Sequence, residues 1–433
     1  MAANRIRRGK ASFSPKSALM QAFDALSRGL DRVVTPATII KFFKRPDPPQ
    51  YAKNEVKEIL VVDPYAIGDL ILASSLLREL RGLFPEAHIT LVVQFVTLEL
   101  MEHCPYVDHV LPLDSGILGF LTNRWATCFK GYLFAARKLR TRKWDLGLSL
   151  HWTPENLELG SLLFFSKARW RFGFRPPGKV SLEGDEFFTT MIDLPSICHE
   201  AERKLQAVKD LGGTPGSDAL EIWTNEKDEQ YAEQLLSFGS RPKLLVAIGL
   251  GTAIPKKQWI TSGYAELAEW LIDEHDAIIL VIGNARERSF GTVLAQRRPG
   301  KVINATGTTT ILQCAALLKR CDLYIGNDTS TKHMAAAALV PVVEVSMEAK
   351  YRPDGTQTPP NLVARWGPFK TKHRVVQPPM MSEPCSTKGG GNVVLCDALE
   401  AHCILNVSID DVKAAVSELM HECGLGSVAG IKM

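Results

Sequence analysis

Apolar and polar positions along this chain alternate between two patterns. Glu58–Asp63 (EILVVD) is a short, nearly continuous apolar run and reads as a buried strand. A glycine turn follows, then a helical pattern to about Phe84. Ala87–Val93 reads as a second strand and His109–Leu113 as a short third. A basic helix fits residues 118–140, Asp145–Leu150 is another strand, and Asn156–Ala168 is a helix. Strands spaced about 25–30 residues apart with helices between them predict a parallel, doubly wound α/β sheet. A second series opens after a helix near Glu200–Leu211 and a polar stretch around residues 225–241. Its strands are Leu244–Ile248, Ala277–Ile282, Asp322–Ile325 and Pro341–Val345. Its helices are Tyr264–Glu274, Ile311–Lys319 and Thr331–Leu339, and Asp410–Met420 is a closing helix. The two series predict two Rossmann-like domains facing a cleft, with ligands at the carboxyl ends of the strands.

The length of 433 residues agrees, since one hydrophobic core rarely grows past ~250–300 residues. The expected segments are residues 1–50 as an extension and linker, 51–225 and 242–375 as the two domains, and 376–433 as a tail. With 45% hydrophobic and 23% charged residues, the chain is not broadly disordered. No apolar run reaches the ~18 residues of a bilayer-spanning helix.

Charge adds an asymmetry. The formal net charge is +4, but residues 1–50 hold ten Lys/Arg against three Asp/Glu. The body is therefore slightly acidic, which disfavours a nucleic-acid partner. In the extension, Leu19, Phe23, Leu26, Leu30 and Val33 fall on one helical face. Pro15, Lys16, Asp24 and Arg28 break any secretory apolar stretch. Nine cysteines, odd in number and without a CxxC pair, do not form a disulfide scaffold, and a cytoplasmic protein is expected.

Several chemistries are missing. There is no GxxxxGK[ST], GxSxG or HExxH, and Ile254 spoils the dinucleotide fingerprint begun by Gly249 and Gly251. No two aspartates stand two residues apart to hold a metal–nucleotide complex. Cys385, Cys396, His402 and Cys403 lack zinc-site spacing and read as ordinary tail residues.

Three stretches carry chemistry. In Ile67-Gly68-Asp69-Leu70, after the first strand, Asp69 either caps a helix or acts as a general base at the cleft. Gly326 to His333 (GNDTSTKH) lies between a strand and an Ala-rich helix. Its small hydroxyl residues suit either capping by Asp328, Thr329 or Ser330, or an anion site, to which Lys332 adds charge. Gly249–Trp259 (GLGTAIPKKQW) also follows a strand. There Gly251 and Thr252 can offer N–H groups to a phosphate and Lys256 and Lys257 can neutralise it, unless the loop is only a solvated basic turn.

In combination these stretches resemble the heptosyltransferase family, glycosyltransferase family nine. IGDLILASSLLRELRGLFPEAHITLVV, CPYVDHVLPLD, WDLGLSLHW, RWRFGFR and HEAERKLQAVKDLGG resemble its first domain. GTAIPKKQW, VIGNARER and GNDTSTKHMAAAALVPVV resemble its donor-binding domain, and the similarity runs over roughly residues 56–420. The resemblance implies a GT-B fold and inverting, metal-independent sugar transfer from a nucleotide-diphosphate sugar. It implies no cofactor, ADP-heptose as donor and a lipopolysaccharide-type or lipid-linked acceptor. By position, Asp69 matches the family's base, Gly251 and Thr252 the phosphate loop, and Lys257 the lysine of K-x-W. Glu287 matches the acidic residue that holds the ribose, and Asp328, Thr329, Ser330, Thr331, Lys332 and His333 match the D-T-G-x-x-H donor motif. Ser330-Thr331 departs from the usual Gly-Pro, Lys332 replaces a commonly apolar residue, and Pro64-Tyr65-Ala66 stands where a basic residue is usual. These changes bear on donor and acceptor identity more than on fold. Transfer of another sugar and a non-catalytic nucleotide-sugar binder remain the alternatives.

One further surface stands out. Between Asp114 and Asp145 there is no acidic residue, while Arg124, Lys130, Arg137, Lys138, Arg140, Arg142 and Lys143 are basic and interleaved with aromatics. It reads either as a sheet-covering helix with a solvated face or as an acceptor-side surface. In the second reading, with the extension's helix, it places the chain peripherally on the anionic inner membrane.

Overall fold

The computed structural model describes residues 35–43, 48–113, 124–151, 157–178, 181–194, 196, 198–352, 355–357, 362–382 and 400–425. The expected helical face from Leu19 to Val33, and Cys385 and Cys396, lie outside the described residues.

Twelve strands among the described residues form two six-stranded parallel sheets. The first has the order β3-β2-β1-β4-β5-β6. These are His109–Leu113, His88–Gln94, Glu58–Asp63, Leu146–Ser149, Trp170–Arg175 and Thr190–Asp193. The second has the order β12-β11-β10-β7-β8-β9. These are His373–Val376, Val342–Val345, Leu323–Asn327, Leu245–Gly249, Ile278–Ile282 and Val302–Asn304. Each sheet reverses strand order once near its middle, between β1 and β4 and between β7 and β10. At such a reversal the connections leave in opposite directions and open a crevice at the carboxyl edge. The loops after β7 and β10 are therefore where the second sheet offers a ligand site.

By its contacts the chain makes two compact units. One comprises Met1–Val62 with Leu113–Asp193. Its core is aromatic: Phe164, Trp170, Phe172, Phe174 and Phe187 are each at most 2% exposed. Tyr51 stands edge-on to Trp170 and Phe172, each at 5.3 Å, and the Trp170 indole N–H donates to the Pro49 carbonyl at 2.9 Å. The end of the linker is thereby pinned to β5. The helix expected over 118–140 is described from Arg124; it runs Arg124–Phe134 and ends in a wider π turn, Ala135–Leu139.

The other unit comprises Asp63–Pro112 with Leu194–Met433. Its strands β7, β8, β10 and β11 are nearly all buried, as a central parallel sheet covered on both faces requires. The helix Ile409–Cys423 closes it with Val412, Val416, Leu419 and Met420 in the same core. That helix starts at Ser408, whose hydroxyl accepts from the Asp411 N–H at 3.1 Å, and ends at Gly424, whose φ of 67° is the left-handed stop glycine favours. The polar stretch around 225–241 contains a helix, Glu226–Leu235. Asn225 and Asp228 form its reciprocal cap. It buries Ala232 and Asp228, so its sequence looks like loop.

Candidate functional site

Strand β10 ends at Asn327, and that side chain organises the loop after the neighbouring β7. Its Oδ1 accepts from the Trp259 backbone N–H at 3.1 Å and from the Tyr264 hydroxyl at 2.9 Å. Its Nδ2 donates to the Leu250 carbonyl at 2.6 Å. Both ends of the 250–259 loop are thus tied to the strand by one fully buried amide. Trp259 is buried too, and its indole N–H donates to the Val407 carbonyl at 3.0 Å.

The glycines make room. A Cβ on Gly249 or Gly326 would come within 2.5 or 2.2 Å of the Tyr324 hydroxyl. That hydroxyl pairs with the Thr331 hydroxyl at 2.6 Å, and Thr331 with Thr329 at 2.9 Å. A Cβ on Gly251 would meet the Glu287 carboxyl carbon at 2.7 Å, so Glu287 lies directly against the loop. Glu287 is held there because its Oε2 accepts the Asn284 N–H at 2.8 Å. The Thr252 hydroxyl turns into its own loop, accepting the Ile254 N–H at 3.1 Å.

The helix Ser330–Ala337 follows β10, with Thr329 at its extended N-cap position. The Thr329 side chain makes no capping bond, which leaves first-turn N–H groups directed out of the helix end. Asp328, just before it, is the hub of an ion-pair network. Lys257 Nζ is 2.5 Å from its Oδ2, and Lys332 Nζ meets its Oδ1. Lys332 Nζ also lies 2.9 Å from Glu344 Oε2 on β11. Burial alone would raise the Asp328 pKa, but Lys332 and Lys257 hold it well below the usual carboxylate range. Burial pushes the Glu344 carboxyl up to about 7, against the pull of Lys332.

His333 is the next residue. Burial, followed by the Lys332 charge, lowers its imidazole to about 3, so it is neutral. Its Nδ1 is buried with no partner among the described residues. Its ring packs on the start of the helix Ile67–Leu72: a Cβ on Gly68 would be 2.9 Å from His333 Cδ2. Asp69 stands in the first turn of that helix, half-buried, and its charge is felt at His333. His199 is nearby in the same field; its Nδ1 accepts the Ala201 N–H at 3.2 Å and its Nε2 lies 3.0 Å from the Gly367 carbonyl.

The structure therefore gathers Asp69, Gly251, Thr252, Lys257, Glu287 and Asp328 through His333 into one unit, from segments as far apart as residues 69 and 333. Lys332 differs from its expected placement. Its side chain is 1% exposed and its charge is taken by Asp328 and Glu344, so it faces inward instead of presenting a free cation to an anion. Asn327 lies inside the GNDTSTKH stretch, which gives it no role of its own, and Tyr324 and Glu344 carry no motif signal, although the glycines opposite Tyr324 are a hint of close packing.

The basic surface is described only in part. Arg124 opens its helix, and its side chain lies outside the described residues. Lys130 is partly buried, which lowers its pKa, with Glu158 acting against that shift. Arg137, Lys138 and Arg140 are exposed, and the Arg140 guanidinium sits 5.0 Å over the Tyr132 ring.

Two parallel sheets of this order, with a glycine loop, a lysine and a hydroxyl-rich helix start at the second sheet's switch point, define a GT-B glycosyltransferase fold. The chain belongs to glycosyltransferase family nine, the heptosyltransferases, whose model matches residues 134–360. Among curated relatives, it is 26% identical over 316 residues to lipopolysaccharide heptosyltransferase 2 of Salmonella typhimurium (strain LT2), covering 70% of this chain and 85% of the relative. It is 25% identical over 317 residues to lipooligosaccharide heptosyltransferase 2 of Haemophilus influenzae, with the same two coverages. The fold is shared with the family nine transferase of Veillonella parvula DSM 2008, at a TM-score of 0.64 and 21% identity over 87% of this chain and 99% of that one. The E. coli ADP-heptose LPS heptosyltransferase II aligns at a TM-score of 0.58 and 19% identity over 84% and 99%. The chain is thus a glycosyltransferase of a family acting in lipopolysaccharide biosynthesis. Among the described residues, no helix is long and apolar enough to cross a membrane.

Proposed function

We propose that this enzyme transfers a heptose from ADP-heptose to a lipopolysaccharide-type acceptor, with inversion and without a metal. The observation that carries the reading is the convergence of Lys257, the Gly251–Thr252 loop and the helix start at Thr329–Thr331 on one end of the second sheet. Backbone N–H groups and a cation there suit a diphosphate. Glu287, lying against Gly251, would accept from the ribose hydroxyls. Asp69 would take the proton from the acceptor hydroxyl as its oxygen attacks the anomeric carbon. The bond from that carbon to the diphosphate breaks on the opposite face, and Lys257 with the helix end stabilises the departing charge. His333, neutral and with Nδ1 unsatisfied, is suited to hydrogen-bonding an uncharged sugar hydroxyl.

Arg137, Lys138 and Arg140 face solvent and, with Arg124 and Lys130, would form the acceptor-side surface on the anionic inner membrane. The protein would then act as a cytoplasmic, peripherally bound enzyme. Isothermal titration with ADP-heptose, ADP-glucose, UDP-glucose and GDP-mannose tests the donor. Tightest binding of ADP-heptose is expected. Preference for another sugar nucleotide would make this a transferase of that sugar. Binding without transfer to any lipopolysaccharide core acceptor would make it a non-catalytic binder.

A further inference from the structure

Asp328 and three charged side chains make a chain of ion pairs, Glu344–Lys332–Asp328–Lys257, graded from the interior outward. Side-chain exposure rises from 1% at Glu344 and 1% at Lys332 to 10% at Asp328 and 20% at Lys257. The outermost member, Lys257, is the most exposed to a ligand. Yet in this state its ammonium is bound to Asp328 Oδ2 at 2.5 Å. To bind a diphosphate, Lys257 must give up some or all of that contact. Leaving a buried carboxylate without a partner is strongly unfavourable.

We propose that Lys332 is a positioning residue: it keeps Asp328 paired from behind, so that Lys257 is free to exchange Asp328 for the donor diphosphate. This rests on the donor reading above. Lys332 occupies the other carboxylate oxygen, and its ammonium is also ion-paired to Glu344 Oε2 at 2.9 Å. Asp328 therefore never becomes an orphan when Lys257 swings away. Lys332 also weakens the hold of Asp328 on Lys257, by sharing its charge and by repelling a second ammonium. Without the inner pair, Asp328 would belong to Lys257 alone and would latch it.

Removing Lys332 alone would leave Glu344 buried without its ion-pair partner, so the test removes the inner pair together. Lys332→Met/Glu344→Met removes the ammonium and its carboxyl partner together, and exchanging a buried ion pair for apolar side chains is commonly tolerated. Two quantities are measured on the full chain. The first, without ligand, is the rate at which an amine-acylating reagent modifies Lys257, read by peptide mass spectrometry with Lys256 as internal reference. The second is the ADP dissociation constant. The double variant should label Lys257 roughly tenfold more slowly and bind ADP roughly tenfold more weakly, the scale of one charge-assisted hydrogen bond. Adding Asp328→Asn should restore fast labelling and recover ADP affinity relative to the double variant. A merely structural role for Lys332 predicts no such rescue. Unchanged or faster labelling in the double variant, or no recovery with Asp328→Asn, overturns the proposal. If the wild type binds no nucleoside diphosphate, the donor reading falls, while the labelling rates still decide whether Lys332 governs the latch.

Discussion

Asn327→Leu tests how the 250–259 loop is held. The substitution is close to isosteric, so it adds little cavity or strain. It removes three buried hydrogen bonds: those to the Trp259 N–H, the Tyr264 hydroxyl and the Leu250 carbonyl. Leucine leaves all three groups unsatisfied in a site closed to water. At ~1–3 kcal/mol for each stranded group, the nominal cost is ~3–9 kcal/mol, and relaxation of the loop brings it toward the lower end. Even ~3 kcal/mol is a large share of the ~5–15 kcal/mol that separates a folded domain from its unfolded chain. Urea unfolding followed by far-UV circular dichroism should show an unfolding free energy lowered by that amount, seen as a lower midpoint. ADP binding should weaken as well, because Gly251, Thr252 and Lys257 all lie on the loop that Asn327 fastens. A loss of stability below ~1 kcal/mol with unchanged ADP affinity would refute this, since it would mean the loop keeps its shape without the amide.

Lys257→Ala should raise the ADP-sugar dissociation constant by roughly 10–150-fold, the range for a charged hydrogen bond worth ~1.5–3 kcal/mol; unchanged affinity by isothermal titration would remove Lys257 from the phosphate site. His333 gives a pH signature. Its folded pKa of about 3 lies below the ordinary 6.5, so between these values the unfolded chain binds a proton that the folded one does not. This contribution to stability is whole above pH 6.5 and is lost as pH falls toward 3. His333→Gln should flatten the urea midpoint against pH across that window, and an equally steep profile would count against a buried neutral imidazole. At the membrane, binding to anionic vesicles should be salt-sensitive and reduced by deleting residues 1–45, and again by neutralising Arg137, Lys138 and Arg140. Equal flotation with neutral and anionic vesicles would contradict the basic surface's role.

Much of the architecture was legible in the sequence, because buried parallel strands read as apolar runs and eight of the twelve were visible that way. The strands missed were Trp170–Arg175, Thr190–Asp193, Val302–Asn304 and His373–Val376. Three of these lie at sheet edges, where only one neighbour has to be satisfied. The other, Trp170–Arg175, hides its burial behind Arg171, whose guanidinium donates to the Phe187 and Ala168 carbonyls at 2.6 and 2.8 Å inside the core. In the site, Asp69 stood out because it follows Gly68 at a strand–helix turn, and Lys257 and Asp328 because they lie in the glycine-bearing stretches GLGTAIPKKQW and GNDTSTKH that follow strands. Asn327 stands in the same stretch beside Gly326, but its role was hidden, since its partners Leu250, Trp259 and Tyr264 lie 63 to 77 residues away and only the fold brings them together. The same distance effect hid the fate of Lys332. Its neighbours in sequence suggested an anion site, while its partner Glu344 sits on the next strand of the sheet.

Asp69, in the first turn of the helix whose Gly68 packs on His333, is proposed to remove the proton from the attacking hydroxyl. The most direct measurement compares wild type and Asp69→Asn for transfer from ADP-heptose to a purified lipopolysaccharide core acceptor, with ADP affinity measured on the same samples. Turnover should fall by at least ~10²-fold, the scale of a lost general base, while ADP affinity stays within a few-fold. Near-normal transfer by the Asn variant would contradict it.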